Sequence, residues 1–175
     1  VCRLVTLLAA RISRLLVRAP MGAATSSLTP LPDEIDELAE RGELQKVVRW
    51  LRKGGFIDAA RSRNDAHGRA WTVTLLHTAS CNGHLEMVKM LLKRGASVNL
   101  QTSLGTTALM DAAYNGHLST LLVLLQHSAN PDLQDEDGWF ALMAAAQQGQ
   151  EACVKALLRA KANTELRTEK GKTAL

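Results

Sequence analysis

Residues 74–99 read TLLHTASCNGHLEMVKMLLKRGASVN, and this stretch decides the fold because it recurs along the chain at a step of 33 residues. Glycines, alanines and leucine pairs keep that step in one register: Gly83, Gly116 and Gly149; Ala96, Ala129 and Ala162; Leu91-Leu92, Leu124-Leu125 and Leu157-Leu158. Self-similarity at a fixed period is the signature of a tandem repeat, in which stacked units bury a continuous core. The sequence therefore predicts a solenoid, and its function is expected to be surface recognition rather than catalysis.

The repeating unit resembles an ankyrin repeat in both motif and period. The resemblance covers residues 33–175 and is most specific over residues 74–175. It implies an all-α fold, an ankyrin-repeat solenoid of stacked helix-turn-helix units joined by hairpin turns. The chain departs from the family pattern at Phe140, which replaces the usual Thr at the first helix of the fourth unit. We expect the fourth unit to be looser than the second for this reason.

The chain divides into two regions. Residues 1–32 are predicted to form an N-terminal extension and linker, and residues 33–175 the ankyrin-repeat domain. The domain is predicted to contain an irregular unit, three repeats and a truncated repeat, at residues 33–63, 64–101, 102–134, 135–167 and 168–175. Because the chain stops early in the first helix of that last repeat, we expect a fragment of a longer array.

The extension begins with a basic amphipathic helix pattern at residues 1–20. Its arginines share one face: Arg3, Arg11, Arg14 and Arg18. The pattern is similar to a mitochondrial presequence, and the alternative is that these residues are not native. If Met21 initiates the protein, Gly22 becomes a candidate for N-myristoylation, and only such a lipid would bring the chain to a membrane. We expect a cytoplasmic or nuclear protein, with mitochondria as the alternative if the presequence is genuine.

Residues 56–73 fit the period least well. The step from Leu51 to the equivalent Leu92 is 41 residues, eight more than one period. Part of the excess is residues 70–73, which separate a Gly-Arg pair from the Thr that starts the next helix. We interpret these residues as an insert that lengthens a protruding loop, or else as an exon-boundary error.

Charge is distributed unevenly along the chain. The formal net charge of +4 comes from the arginines of the extension. No Lys or Arg lies between Arg94 and Lys155, and the same interval contains six acidic residues: Asp111, Asp132, Asp135, Glu136, Asp137 and Glu151. The acidic cluster at residues 135–137 is interpreted as a solvated turn, and the alternative is that it binds a cation weakly. An acidic middle favours a protein partner with a basic or mixed-charge surface, and it would repel the phosphates of a nucleic acid.

The repeat itself explains the patterns that could otherwise carry chemistry. His77, Cys81 and His84 have the spacing of metal ligands, yet both histidines occupy repeat positions. The triplet at residues 171–173, GKT, lacks the upstream Gly of a phosphate-binding loop. We therefore predict no catalytic residue, no cofactor, no metal and no enzymatic activity. Asn99 is a candidate for hydroxylation, because its turn resembles the sites of asparaginyl hydroxylases in ankyrin proteins.

The resemblance implies a non-catalytic protein–protein interaction module or scaffold. Ankyrin arrays bind through their hairpin tips and the exposed side of their first helices, the concave face. The corresponding candidates here are Ser103, Leu104, Thr106, Glu136, Asp137 and Trp139 in the tips, and Asp111, Tyr114, Asn115, Gln147 and Gln148 on the helices. Trp139 is expected to anchor the partner, unless it folds back onto Phe140. We expect a monomer; the alternative function is the recognition or regulatory arm of a larger signalling enzyme, of kinase or ubiquitin-ligase type, truncated at residue 175.

Overall fold

The computed structural model describes residues 30–64 and 70–174. Within these ranges the chain forms four helix–turn–helix pairs and one small sheet, with these bounds: α1 Asp33–Glu40, α2 Leu44–Arg52, β1 Ala60–Asn64, β2 Ala70–Thr74, α3 Leu75–Cys81, α4 Leu85–Lys93, α5 Ala108–Tyr114, α6 Leu118–Gln126, α7 Ala141–Gln147 and α8 Glu151–Arg159. The first helices α1, α3, α5 and α7 stack in order, and the second helices α4, α6 and α8 do the same. The predicted solenoid of stacked helix pairs is confirmed, with a two-stranded sheet added between the first and second units.

Each first helix begins after an extended residue. Thr107 precedes α5, and its Oγ1 accepts a hydrogen bond from the Met110 N–H at 3.3 Å. Thr74 precedes α3, and its Oγ1 lies 2.9 Å from His77 Nδ1. Phe140 precedes α7 and gives no side-chain cap, because a phenyl ring offers no acceptor. Its ring is completely buried instead, so this helix start is held by packing.

The turn between the two helices of a unit requires glycine. Gly83 has a φ of +70°, a left-handed conformation that is accessible to glycine without a steric penalty. A Cβ at this position would also lie 2.6 Å from Nδ1 of His117. The same imidazole bonds through Nε2 to the carbonyl oxygen of Cys81 at 3.0 Å. The Gly-His pair of the repeat therefore makes a tight turn and links one unit to the next.

Leucine pairs on the second helices fill the core between units. The first leucine of each pair, Leu91, Leu124 or Leu157, is fully buried. Burying one such side chain stabilises the fold by ~1.5–3 kcal/mol. The second leucine is covered less evenly, since Leu92 is 7% exposed and Leu158 is 40% exposed. The core is therefore better covered in the second unit than in the fourth.

Strands β1 and β2 pair as an antiparallel hairpin in which Arg63 lies opposite Trp71. Trp71 and Val73 are each only 7% exposed. Alternate residues of a strand share one face, so these two side chains cover the same side of the hairpin. Residues 70–73 therefore form a strand with a buried face, and their interpretation as part of a protruding loop is wrong.

Asp36 on α1 joins this hairpin to the first two helix pairs. Its side chain has no solvent exposure, and Oδ2 accepts hydrogen bonds from Arg63 Nε at 2.9 Å and Arg61 Nη1 at 3.3 Å. Thr78 on α3 donates from Oγ1 to the other carboxylate oxygen at 2.7 Å. A buried carboxylate needs such partners, because removing an unpaired charge from water is costly. The arginines of β1 are therefore structural residues that turn toward the core.

No helix among residues 30–64 and 70–174 is both long and apolar enough to cross a membrane. The basic helix predicted at residues 1–20 and the candidate myristoylation residue Gly22 lie outside the described residues.

Candidate partner-binding surface

The hairpin-turn tips of successive units are tied into one row. The side chain of Gln101 donates to the Gln134 carbonyl oxygen at 3.0 Å, and that of Gln134 donates to the Arg167 carbonyl oxygen at 2.9 Å. The Glu136 N–H also donates to the Leu104 carbonyl oxygen at 3.2 Å. We call residues 101–106, 134–139 and 167–172 the tip row, because these bonds join them into a continuous ridge.

One residue in each tip holds the turn by accepting the N–H of the residue four positions later: Thr102, Asp135 and Thr168. The three donor–acceptor distances are 3.1, 2.7 and 3.1 Å. A hydroxyl and a carboxylate can do this equally, since each offers an acceptor oxygen at the right distance from the backbone. Asp135 differs in its second oxygen, Oδ2, which accepts no hydrogen bond from the part of the chain that the structure describes.

The residues predicted to contact a partner differ in their exposure. Four of them are exposed: Ser103, Glu136, Gln147 and Gln148. Four are half-buried: Leu104, Asn115, Asp137 and Trp139. Three are buried: Thr106, Asp111 and Tyr114, which are 7%, 5% and 6% exposed. These three offer a partner little area in the chain alone. Contact by all eleven residues stays a prediction.

Asp111 shows how burial affects the charge of this face. Burial raises the pKa of its carboxyl well above the ordinary value, and the positive charge of Arg63 opposes that rise. A carboxyl with a raised pKa carries less negative charge at a given pH. Asp111 therefore contributes less to an acidic surface than its position in the sequence suggests.

Two cavities lie at equivalent places in successive units. The first, which we call the notch, has a volume of about 30 Å³ and is bordered by Thr106, Met110, Tyr114, Asp135, Trp139, Phe140, Ala144 and Gln147. The second, which we call the terminal cleft, has a volume of about 270 Å³ and is bordered by Trp139, Met143, Ala146, Gln147, Thr168, Lys172, Thr173 and Ala174. The first six notch positions become cleft positions when the period of 33 is added. The two cavities are therefore one feature of the repeat, lined with different side chains.

Asp135 is the charged residue of the notch. Burial raises the pKa of its carboxyl to about 6, and the negative charges of Asp137 and Glu136 add to that rise. Hydrogen bonds from the Trp139 and Asp137 N–H groups lower the pKa and only partly offset the burial. At neutral pH the notch therefore contains a negative charge that its surroundings compensate poorly.

Sequence reasoning identifies Trp139 but misses the notch. It treats Asp135 as part of a solvated turn or a weak cation site, and Phe140 as a departure from the repeat on which Trp139 could fold back. In the structure Trp139 is half-buried, and both aromatic residues border the notch. The signal that could reveal the site is the alignment of Thr102, Asp135 and Thr168, in which an acid stands where the neighbouring units have a hydroxyl.

The histidines considered as metal ligands are used within the repeat. His77 Nε2 lies 3.2 Å from the Thr106 carbonyl oxygen, and burial lowers the pKa of the ring to about 4. His84 Nε2 lies 2.8 Å from the Glu40 carbonyl oxygen. Among residues 30–64 and 70–174, no group of three or more His, Cys, Asp or Glu could hold a metal ion.

Asn99 is exposed, but its side chain is engaged at both ends. Its Oδ1 accepts a hydrogen bond from the Asn130 N–H at 2.8 Å, and its Nδ2 donates to the Ser128 carbonyl oxygen at 3.3 Å. The amide therefore links the turns of the second and third units. Hydroxylation of Asn99 stays a prediction.

Comparison with protein families matches almost the whole solenoid. A family model of ankyrin repeats (three copies) matches residues 37–135 and residues 109–175. Comparison with curated proteins finds no match to this chain. The family matches overlap and together extend from residue 37, within α1, to residue 175. The chain therefore belongs to the ankyrin-repeat family.

Proposed function

We propose that this chain is a non-catalytic scaffold that binds a protein partner through the tip row and the adjoining notch. Ankyrin repeats in general mediate protein–protein interactions. The observation that carries the proposal is the acidic and aromatic surface of the second tip, residues 134–139, where Glu136 is exposed and Asp137 and Trp139 are half-buried. Together with Gln147 and Gln148 at the end of α7, these residues define what we call the acidic face.

The acidic face is suited to recognition because its backbone is fixed before a partner arrives. The Asp135 turn is closed by two N–H donors, and the Glu136 and Asp137 backbone groups bond to the tips on either side. A surface that is already ordered loses less conformational freedom on binding. A partly exposed Trp on such a surface is a frequent centre of binding energy.

Charge complementarity indicates the kind of partner. No Lys or Arg occurs between Arg94 and Lys155, while the tip carries three consecutive acidic residues. Such a surface attracts and orients a basic or mixed-charge protein. We propose that the array acts as a monomer in the cytoplasm or nucleus, where such a partner would meet it.

A site-specific cross-linking experiment tests the proposed face. A photo-reactive amino acid would replace Glu136 on the acidic face, or Gln126 at the end of α6 as the control, since both side chains are exposed. After irradiation in cells, the position-136 variant should form one dominant adduct with a protein partner, and the position-126 variant should not. The purified partner should then bind the unmodified chain in isothermal titration calorimetry.

Two results would reject the proposed face. The first is equal adduct formation at both positions, because this would mean that contact is non-specific. The second is a purified partner that binds equally well after Trp139→Ala and Glu136→Lys are combined. Either result would move the interaction to another surface of the array.

A further inference from the structure

We propose that the notch is a binding site for the ammonium group of a lysine side chain presented by the partner. The inference rests on the proposed function, because it names the group that a basic partner inserts at the acidic face. In this arrangement the ammonium donates a hydrogen bond to Oδ2 of Asp135, and the aliphatic part of the lysine packs against Trp139.

The first argument is that the turn does not need the charge of Asp135. Thr102 and Thr168 hold the equivalent turns with a neutral hydroxyl, at distances similar to that of the Asp135 carboxylate. Asp135 uses Oδ1 for that purpose, and both of its N–H donors bond to this one oxygen. The second oxygen and the negative charge are therefore surplus to the local fold, and a cation from outside would compensate them.

The second argument is the aromatic border. Tyr114, Trp139 and Phe140 all border the notch beside Asp135. Aromatic rings attract cations through their negative faces, and the attraction is stronger where water is partly excluded. A carboxylate combined with aromatic rings favours a cationic group over a neutral one of the same size.

The third argument is size. The notch has a volume of about 30 Å³, which is room for a group only slightly larger than a water molecule. A lysine ammonium is a compact point charge, whereas the guanidinium of arginine is a wide planar fork. The cavity therefore fits lysine better than arginine.

The terminal cleft provides an internal contrast. Its equivalent positions carry Thr168 in place of Asp135 and Lys172 in place of Trp139. The described residues that border this cleft therefore include a positive charge and no carboxylate, so it should repel the same ligand. One period of the array thus separates a site that suits an ammonium group from a site that does not.

Nuclear magnetic resonance with a minimal ligand tests the assignment. The full chain would be labelled with ¹⁵N and titrated at pH 7.5 with Nα-acetyl-lysine methylamide, whose side-chain ammonium is free. The indole N–H signals of the three tryptophans of the chain are followed during the titration. The Trp139 signal should shift and saturate at millimolar ligand. The signals of Trp50 and Trp71 should not move.

Substitutions separate the notch carboxylate from the general negative charge of the chain. Asp135→Asn and Asp135→Thr should each weaken binding about tenfold, and Thr is the residue that the neighbouring turns already tolerate. Glu151→Gln on α8 is the control, because it removes one exposed negative charge outside both the notch and the acidic face. It should change the affinity less than about twofold.

Three results would overturn the lysine site. The first is that the Trp139 signal shows no saturating shift. The second is that the ligand still binds after Asp135→Asn while the fold is intact. The third is that Nα-acetyl-arginine methylamide binds equally tightly. Cross-linking at position 136 reports on the proposed function separately. Adducts without a lysine-induced shift reject the notch alone, whereas a shift without adducts rejects the proposed partner face alone.

Discussion

Asp36 and Asp135 are the same chemical group in opposite settings. Asp36 is completely buried, and the chain supplies its two arginines and a threonine hydroxyl. Asp135 is half-buried, with two backbone donors on one oxygen and a pKa raised to about 6. The first carboxylate is compensated within the fold and holds it together. The second keeps an oxygen that accepts no hydrogen bond from the described residues, and in the proposed lysine site an external cation compensates it.

Removing Arg63, which neutralises the buried charge of Asp36, should have the largest effect on stability. Arg63→Met would leave a carboxylate with no solvent exposure short of its main partner, so we expect the free energy of unfolding to fall by ~3–5 kcal/mol. Urea unfolding followed by circular dichroism measures this loss. The double variant Asp36→Leu with Arg63→Met removes both charges and should recover most of it. A loss below about 1 kcal/mol for Arg63→Met would show that the pair is not structural.

Removing the aromatic side of the notch should act on binding more than on folding. Trp139→Ala should weaken affinity for the cross-linked partner by ~2 kcal/mol, the typical size of a hot-spot residue. The half-buried position of Trp139 limits the accompanying loss of stability to ~1 kcal/mol. Calorimetric titration and thermal unfolding measure the two effects. Trp50→Ala on α2 is the matched control, and an equal loss of affinity there would contradict the prediction.

The pH dependence of stability should reveal the uncompensated charge of Asp135. Its folded-state pKa of about 6 lies above the ordinary aspartate value of 3.8, so the folded state holds this proton more tightly than the unfolded state. Its contribution to stability is therefore highest below pH 4 and is lost as the pH rises through about 6. The shift corresponds to ~3 kcal/mol, which solvent screening of a partly exposed group reduces to ~1 kcal/mol.

Asp135→Asn should therefore be more stable than the parent at pH 7 by ~1 kcal/mol and equal to it near pH 4. The difference between the two proteins isolates this carboxyl from Glu136, Asp137 and the other acids. Urea unfolding at both pH values provides the measurement. A variant less stable than the parent at pH 7 would mean that the charge strengthens the turn instead.

The smallest effect should come from the exposed end of the Asp36 network. Asp33 pairs with Arg61 Nε at 2.9 Å, but its side chain is 77% exposed. Exposed ion pairs are screened by water and salt, so Asp33→Asn should change stability by less than ~0.5 kcal/mol. Thermal unfolding in low and high salt tests this. A loss of stability similar to that caused by Arg63→Met would mean that burial does not decide how much each ion pair contributes.

The regular part of the fold could be predicted because each structural role returns every 33 residues. The turn glycines, the leucine core and the helix pairs all follow from that period. Residues 60–64 and 70–74 could not be predicted in the same way, because ARSRN does not read as a strand. Its arginines face inward only because Asp36, 25 and 27 residues earlier, requires them there.

The candidate site could be predicted only in outline. The tip positions and Trp139 follow from the alignment of the repeats. The burial of Thr106, Asp111 and Tyr114 depends on how closely neighbouring layers approach, and spacing alone does not contain that distance. The notch was missed because an acidic residue in a turn usually faces water, whereas this one is partly covered by aromatic neighbours.

Thr102, Asp135 and Thr168 close equivalent turns in three successive tips, and this equivalence affects how the surface of such an array can change during evolution. Because either a hydroxyl or a carboxylate closes the turn, heritable exchanges between them change the charge of a unit while its backbone is kept. If the proposed lysine site is correct, a new specificity can then arise in one unit at a stability cost of only ~1 kcal/mol. An engineer could use the same freedom by exchanging Thr168 and Lys172 for Asp and Trp, which would place a carboxylate and an indole at the equivalent positions one period away.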